Sequence, residues 1–97
     1  MDIFTRVLYP AIDEMNEALD EGKQLLKIPE AVLFGDGAIL DSIGLVNFIV
    51  TTERIAEEST GKMISLTSEK AFSRRQSPFR TIASLAEFIE ELLAEEA

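Results

Sequence analysis

The sequence predicts an all-α fold, and three features of the chain lead to that prediction. Apolar residues recur at intervals of three and four near the start, the middle and the end of the chain, which is the spacing of one helix face. The one short run with strand-like alternation, residues 62–66, has no second run with which to form a sheet. The 97 residues, 46% of them hydrophobic, suit one modest core. We therefore expect a single helical domain over residues 1–97.

The first predicted helix lies at the start of the chain. Its apolar face is formed by Phe4, Leu8, Ile12, Met15 and Leu19. Pro10 interrupts the pattern because proline lacks an N–H and clashes with the preceding turn. The helix is therefore either kinked there, or its regular part begins at Pro10. Gly22 ends the pattern.

Residues 23–41 are predicted to form a long ordered loop. Pro29, Gly35 and Gly37 interrupt it, and its apolar residues are scattered. Loops of this length without secondary structure are uncommon in compact domains, so this one needs anchors. The residues predicted to pack inward are Leu25, Leu26, Ile28, Val32, Leu33, Phe34 and Leu40.

A second helix is predicted from about residue 43 to residue 58, with Gly61 ending it. In projection, one polar strip contains Gly44, Asn47, Thr51, Arg54 and Glu58. Most of the remaining surface is apolar and is predicted to be buried: Ile43, Val46, Phe48, Ile49, Val50 and Ile55.

The alternating run at residues 62–66 is predicted to be an extended connector. Residues 68–73 should form a short third helix, with Thr67 or Ser68 as its cap and Phe72 as its core anchor.

The last predicted helix follows the turn at residues 77–79, with Thr81 as its cap. The residues spaced for burial are Ile82, Leu85, Ile89 and Leu92. The Glu-rich end of this helix reads as a solvated face. It contains no loop that would organise the oxygen ligands of a metal ion, so no metal site is predicted.

Composition excludes several classes of function. The chain has no histidine and no cysteine, which removes the commonest general base and any thiolate metal site, so no catalytic residues are predicted. The net charge of −9 disfavours nucleic acid and anionic membranes as partners. No segment reads as a membrane span or a leader, so we expect a cytoplasmic protein, and the negative surface predicts a monomer.

The most informative segment is Asp41-Ser42-Ile43-Gly44-Leu45-Val46, which follows a turn-rich stretch. It brings Ser42 to the predicted start of the second helix, where unpaired backbone N–H groups and the helix dipole favour an anion. The simpler interpretation is that Ser42 is only a helix N-cap. Ser42 could also fill both roles.

The surrounding residues resemble those of the acyl carrier proteins over roughly residues 30–93. The stretches that carry the resemblance are Leu33-Phe34-Gly35, Ile39-Leu40-Asp41-Ser42-Ile43-Gly44-Leu45-Val46, Glu53, Ile64-Ser65-Leu66 and Ser77-Pro78-Phe79-Arg80-Thr81-Ile82. The resemblance implies a four-helix bundle with a long first loop and a short third helix. It also implies that a phosphopantetheinyl transferase attaches 4′-phosphopantetheine from coenzyme A to Ser42, with Asp41 as the flanking residue of the motif. The arm's thiol would then hold cargo as a thioester.

The family further implies partners: a loading ligase for acyl or aminoacyl groups, and acyltransferases or synthases. In this family the outward strip of the second helix usually docks partners through acids. Here Gly44 and Asn47 replace acids and Arg54 adds a positive charge, so we hypothesise a carrier for a dedicated pathway. The alternative is that Glu53, Glu57 and Glu58 suffice for the general enzymes. The predicted docking residues are Ile43, Gly44, Asn47, Thr51, Arg54, Arg74 and Arg75.

Three points stay open at this stage. For Arg74 and Arg75 the default explanation is a solvated face that balances nearby acids, and contact with the phosphodiester or with a selective partner is the alternative. An aminoacyl or peptidyl carrier would have the same arm and a different cargo. A helical interaction module without the arm is the third possibility.

Overall fold

The computed structural model describes residues 2–19, 22, 24–35, 37–66 and 78–96. These residues form three helices, α1 (Tyr9–Asn16), α2 (Ser42–Thr60) and α3 (Ile82–Glu96), and a π-helical segment, Phe4–Leu8, leads directly into α1. They contain no β-strand, only an isolated antiparallel bridge between Val32 and Thr81. The all-α prediction is confirmed to this extent. The predicted short helix at residues 68–73 lies outside the described residues, so a fourth helix is not seen.

The π-helical segment explains how the first helix accommodates Pro10. The Tyr9 N–H donates to the Phe4 carbonyl, five residues earlier, and α1 then begins at Tyr9 with Pro10 in its first turn. In an unbroken α-helix the residue at position 10 would donate to the Arg6 carbonyl, which proline cannot do. That carbonyl accepts a hydrogen bond from the Ser59 hydroxyl of α2, at 3.2 Å. The interruption therefore also ties the two helices together.

One apolar core joins the helices. On the first helix Leu8, Ile12 and Met15 are buried and Phe4 is partly buried, as predicted. The predicted extension of this helix toward Gly22 is wrong, because α1 ends at Asn16 and the partly buried Leu19 lies beyond it. The largest fully buried side chains are Phe48 of α2 and Phe88 of α3. The apolar side chains buried in this core are Ile3, Val7, Leu8, Ala11, Ile12, Met15, Leu25, Leu33, Leu40, Phe48, Ile49, Ile55, Ala56, Leu66, Ile82, Leu85, Ala86, Phe88, Ile89 and Leu92.

The main chain of the loop between α1 and α2 is held in place by hydrogen bonds to other parts of the protein. The Asn16 side chain donates to the Leu25 carbonyl at 3.0 Å and accepts from the Leu25 N–H at 2.8 Å. Farther along, the Leu33 N–H donates to the Arg80 carbonyl at 2.7 Å, and the Ile82 N–H donates to the Ala31 carbonyl at 3.0 Å. The prediction of an ordered loop is thus confirmed.

Only some of the loop residues that were predicted to pack inward are buried. Leu25, Leu33 and Leu40 are buried, and Val32 is partly buried. Leu26, Ile28 and Phe34 are 63%, 41% and 54% exposed, so their predicted burial is wrong. Hydrogen bonds from the Leu25 and Leu33 N–H groups fix those two residues, whereas Ile28 and Phe34 lie in bends of the loop.

The ends of α2 and α3 follow the predicted signals. Gly61 closes α2 with φ +75°, and its N–H donates to the Glu57 carbonyl at 2.8 Å. At the start of α3, the Thr81 hydroxyl accepts from the Ser84 N–H at 3.1 Å, while the Ser84 hydroxyl accepts from the Thr81 N–H at 3.0 Å. The predicted cap is confirmed. The predicted apolar face, Ile82, Leu85, Ile89 and Leu92, is buried.

Candidate functional site

The start of α2 is organised by Asp41. Its backbone is extended, with φ −84° and ψ −175°, and its carboxylate accepts a hydrogen bond from the Gly44 N–H at 2.7 Å. Its carbonyl accepts from the Leu45 N–H at 2.9 Å. Asp41 is therefore the N-cap and Ser42 is the first helical residue, so the interpretation of Ser42 as the cap is wrong. The chain turns into the helix one residue earlier than that interpretation requires.

The loop before Asp41 contains two glycines in conformations that other residues rarely adopt. Gly35 has φ +103° and Gly37 has φ +84°, and the Ala38 N–H closes this turn on the Gly35 carbonyl at 3.1 Å. This confirms the predicted turn. It brings the chain to Leu40, which is buried, and to the exposed Asp41.

Gly44 has a different role from these two glycines. It lies in the helix without positive φ, and a Cβ there would be 3.2 Å from the Asp41 Oδ1 and 3.3 Å from the Leu40 Cδ2. The side that a larger residue would occupy is therefore filled by the protein's own atoms. Glycine at this position therefore makes room for the cap and for Leu40.

Three aliphatic side chains on α2 are exposed, and we call them the aliphatic row. Ile43 is 73% exposed, Val46 57% and Val50 58%. Their spacing of three and four places them on one face of the helix. Their predicted burial is wrong. The buried apolar side chains of α2 are instead Phe48, Ile49, Ile55 and Ala56, and α1 and the π-helical segment pack against this helix.

One turn beyond the aliphatic row, toward the C-terminal end of α2, lies an ionic cluster with Arg54 at its centre. Arg54 forms an ion pair with Glu14 of α1 and a second with Glu58, at 3.2 Å, one turn farther along α2. Its positive charge is therefore already balanced by two carboxylates. The side chains of Arg54 and Glu14 are each 47% exposed and that of Glu58 is 64% exposed, so solvent screens these pairs and they stabilise the fold only slightly.

The remaining acids of this face differ in what they contact. Glu53 accepts a hydrogen bond from the Leu66 N–H at 2.7 Å, which holds the connector after α2. Glu57 is exposed, and among the described residues its side chain has no ion pair or hydrogen bond. One carboxylate on this face is thus available to a partner.

The predicted site residues that the structure describes lie at the start of α2 or along it. Asp41, Ser42 and Ile43 lie together at the start of α2, and Asn47 is exposed one turn later. Thr51 is partly buried, and Arg54 is engaged in the ionic cluster. Arg74 and Arg75 lie outside the described residues. Val46 and Val50 were not predicted to lie on the surface. The sequence did contain a signal for this, because the apolar arc of the second helix is too wide for one helix to bury completely.

No group of three or more acidic side chains in the described part of the chain is placed to hold a metal ion. Within that same part, no helix has the length and apolar character needed to cross a membrane. Comparison with models of protein families, with curated proteins and with solved structures finds no match to this chain. The residues at the start of α2 and the surface beside them are therefore the features of this chain that bear on its function.

Proposed function

We propose that this chain is an acyl carrier protein that holds 4′-phosphopantetheine on Ser42 and catalyses no reaction itself. The observation that supports it most is the position of Ser42 as the first residue of a 19-residue helix whose N-cap is supplied by its neighbour Asp41. Capping of α2 consequently does not depend on the serine, which can be modified without loss of the helix start.

The chemistry at this position is a phosphoryl-group transfer carried out by a separate transferase. The Ser42 oxygen would form a bond to the phosphorus of the pantetheine arm, and the pyrophosphate bond of coenzyme A would break. The adenosine 3′,5′-bisphosphate moiety leaves, and a base of the transferase takes the serine proton. The product is a phosphodiester at the positive end of α2, where an anion is favoured, although the Asp41 carboxylate offsets part of that effect.

The composition fits a carrier better than an enzyme. The chain has no histidine or cysteine of its own, and the reactive thiol would come from the attached arm. We propose that it acts as a cytoplasmic monomer that presents thioesters to a loading ligase and to acyltransferases or synthases of a dedicated pathway. A net charge of −9 opposes self-association, which supports the monomer.

The decisive experiment measures the intact mass of the purified chain after incubation with coenzyme A and a broad-specificity phosphopantetheinyl transferase. We expect the mass of one phosphopantetheine to be added to the natural sequence and none to Ser42→Ala. Ser65→Ala is the matched control, because Ser65 is exposed in the connector after α2 and should leave the gain intact. No gain with the natural sequence, or an equal gain with Ser42→Ala, would contradict the proposal.

The same preparation separates the two kinds of cargo. Loaded with an acyl-activating ligase, the modified chain should gain an acyl thioester that hydroxylamine releases. Loading by an aminoacyl-activating enzyme alone would instead identify an aminoacyl carrier with the same arm.

A further inference from the structure

We propose that the π-helical segment is a cover of the apolar core that opens independently of α1, and that the Ser59 hydroxyl holds it closed. In the open state the segment would pivot at Pro10 and withdraw the buried side chains of Val7 and Leu8 from the core. Ser59 lies about 25 Å from Ser42 along α2, so this device acts away from the proposed attachment site and does not depend on the proposed function.

The π-helical segment is bonded within itself, which lets it move as one body. The Asp2 carboxylate accepts hydrogen bonds from the Phe4 N–H at 3.1 Å and from the Thr5 hydroxyl at 2.7 Å. The Asp2 carbonyl accepts from the Arg6 N–H at 3.0 Å, and the Phe4 carbonyl accepts from the Tyr9 N–H. A pivot at the next residue would leave all of these bonds intact.

The junction with α1 is the weakest point of the first helix. Pro10 has no N–H, so one of the hydrogen bonds that would cross from α1 to the segment is missing. Prolines and single π-helical turns are also the features at which helices bend. Bending at this point therefore costs fewer hydrogen bonds than bending elsewhere in the helix.

The two parts of the first helix are tied to the rest of the protein by different side chains. On α1, Glu14 forms an ion pair with Arg54 of α2, and the Asn16 side chain bonds to the loop that follows. Among the described residues, the π-helical segment has one side-chain hydrogen bond to another element, from the Ser59 hydroxyl to the Arg6 carbonyl at 3.2 Å. Breaking that bond frees the segment and leaves the ties of α1 in place.

Opening of the segment would uncover the core from one side. The segment packs against both α2 and α3, and its side chains Ile3, Val7 and Leu8 are buried there. Fewer apolar side chains leave the core than in complete unfolding, so this opening requires less free energy. It creates a route into the interior that does not disturb the cap of α2 at Asp41, at the far end of that helix.

Native-state amide hydrogen exchange at low urea tests whether the segment opens by itself. Residues 6–9 should exchange faster than residues 12–16 and with a weaker dependence on urea, because their opening exposes less surface than complete unfolding. Equal urea dependence in the two stretches would show that the first helix opens as one unit and would overturn the cover.

The role of Ser59 is tested with Ser59→Ala against Thr60→Val. The Thr60 hydroxyl bonds to the Ala56 carbonyl at 2.7 Å and to the Lys62 N–H at 3.1 Å, and opening of the segment leaves both bonds intact. At low urea we expect Ser59→Ala to speed exchange of residues 6–9 about fivefold and Thr60→Val to leave it unchanged. The same effect from both variants, or none from either, would overturn the role of Ser59.

A double-mutant cycle tests why Ser59 holds the segment. Pro10→Ala supplies an N–H that can donate to the Arg6 carbonyl, so it should slow exchange of residues 6–9. In that background the effect of Ser59→Ala should fall below about twofold, because the carbonyl has another donor. An undiminished effect would show that the missing proline donor is not what makes Ser59 important.

Single cysteines test whether the core side of the segment becomes accessible, since the natural sequence has no cysteine. Val7→Cys places a buried thiol in the segment, and Ala11→Cys places one in α1. Under native conditions an aromatic disulfide reagent should react about tenfold faster with Val7→Cys, after correction for the unfolding free energy of each variant. Equal corrected rates would contradict a cover that opens without α1.

Discussion

The helices α2 and α3 use their apolar residues in different ways. On α3 the large apolar side chains Ile82, Leu85, Phe88, Ile89 and Leu92 are all buried, and the described exposed face is mostly acidic, with Glu87, Glu90, Glu91 and Glu95. On α2 the row of Ile43, Val46 and Val50 stays exposed although Phe48 and Ile49 are in the core. Folding therefore buries the main apolar face of α3, whereas it leaves the row on α2 exposed to solvent.

The two helices also begin differently. At α3, Thr81 and Ser84 bond each other reciprocally, and the Ser84 hydroxyl also donates to the Pro78 carbonyl at 3.0 Å. At α2, one exposed carboxylate, that of Asp41, caps the helix through the Gly44 N–H. The first start is tied into the surrounding chain, while the second is capped by an exposed side chain.

The largest expected effect on stability comes from the buried face of α3. Phe88→Ala should lower the free energy of unfolding by about 3–5 kcal/mol, because it removes one of the largest core side chains and leaves a cavity. Val50→Ala on α2 should change it by no more than about 0.5 kcal/mol. Urea unfolding followed by circular dichroism measures both. Similar losses for the two variants would contradict the contrast between the helices.

Removing the N-terminal caps of α2 and α3 should change the free energy of unfolding by an intermediate amount. Thr81→Ala and Asp41→Ala should each cost about 1 kcal/mol of unfolding free energy, since each removes a side-chain acceptor for an otherwise unpaired N–H. Amide hydrogen exchange locates the effect: Asp41→Ala should speed exchange at Gly44 and leave α3 unaffected. Asp41→Asn is the control, because an amide oxygen can still accept that hydrogen bond. Unaltered exchange at Gly44 would show that Asp41 is not the cap.

The smallest expected effect concerns the ionic cluster of α2. Arg54→Gln should lower the unfolding free energy by at most about 1 kcal/mol at low salt, because the side chains of both ion pairs are about half exposed or more and solvent screens them. The loss should shrink at high salt, where such pairs are screened. Lys27→Gln removes the exposed pair with Asp13 and serves as the comparison. A loss of several kcal/mol would show that the cluster holds α1 against α2 more strongly than its exposure indicates.

Much of the local structure was predictable because it depends on near neighbours in sequence. The spacing of Leu8, Ile12 and Met15 predicted a helix face, and the positions of Gly61 and Thr81 predicted helix ends. The cap of α2 was the exception. Asp41 and Ser42 are both favourable capping residues, and the choice depends on which of them has extended backbone.

The sequence by itself determined that the chain is helical and that Ser42 lies at the start of an apolar helix, because helix spacing and capping signals act over only a few residues. Tertiary structure decided which apolar residues are buried. Ile43, Val46 and Val50 are as apolar as Ile49, yet they stay exposed because α1 and the π-helical segment cover only one side of α2. Burial depends on what packs against a face, and that is a property of the whole fold.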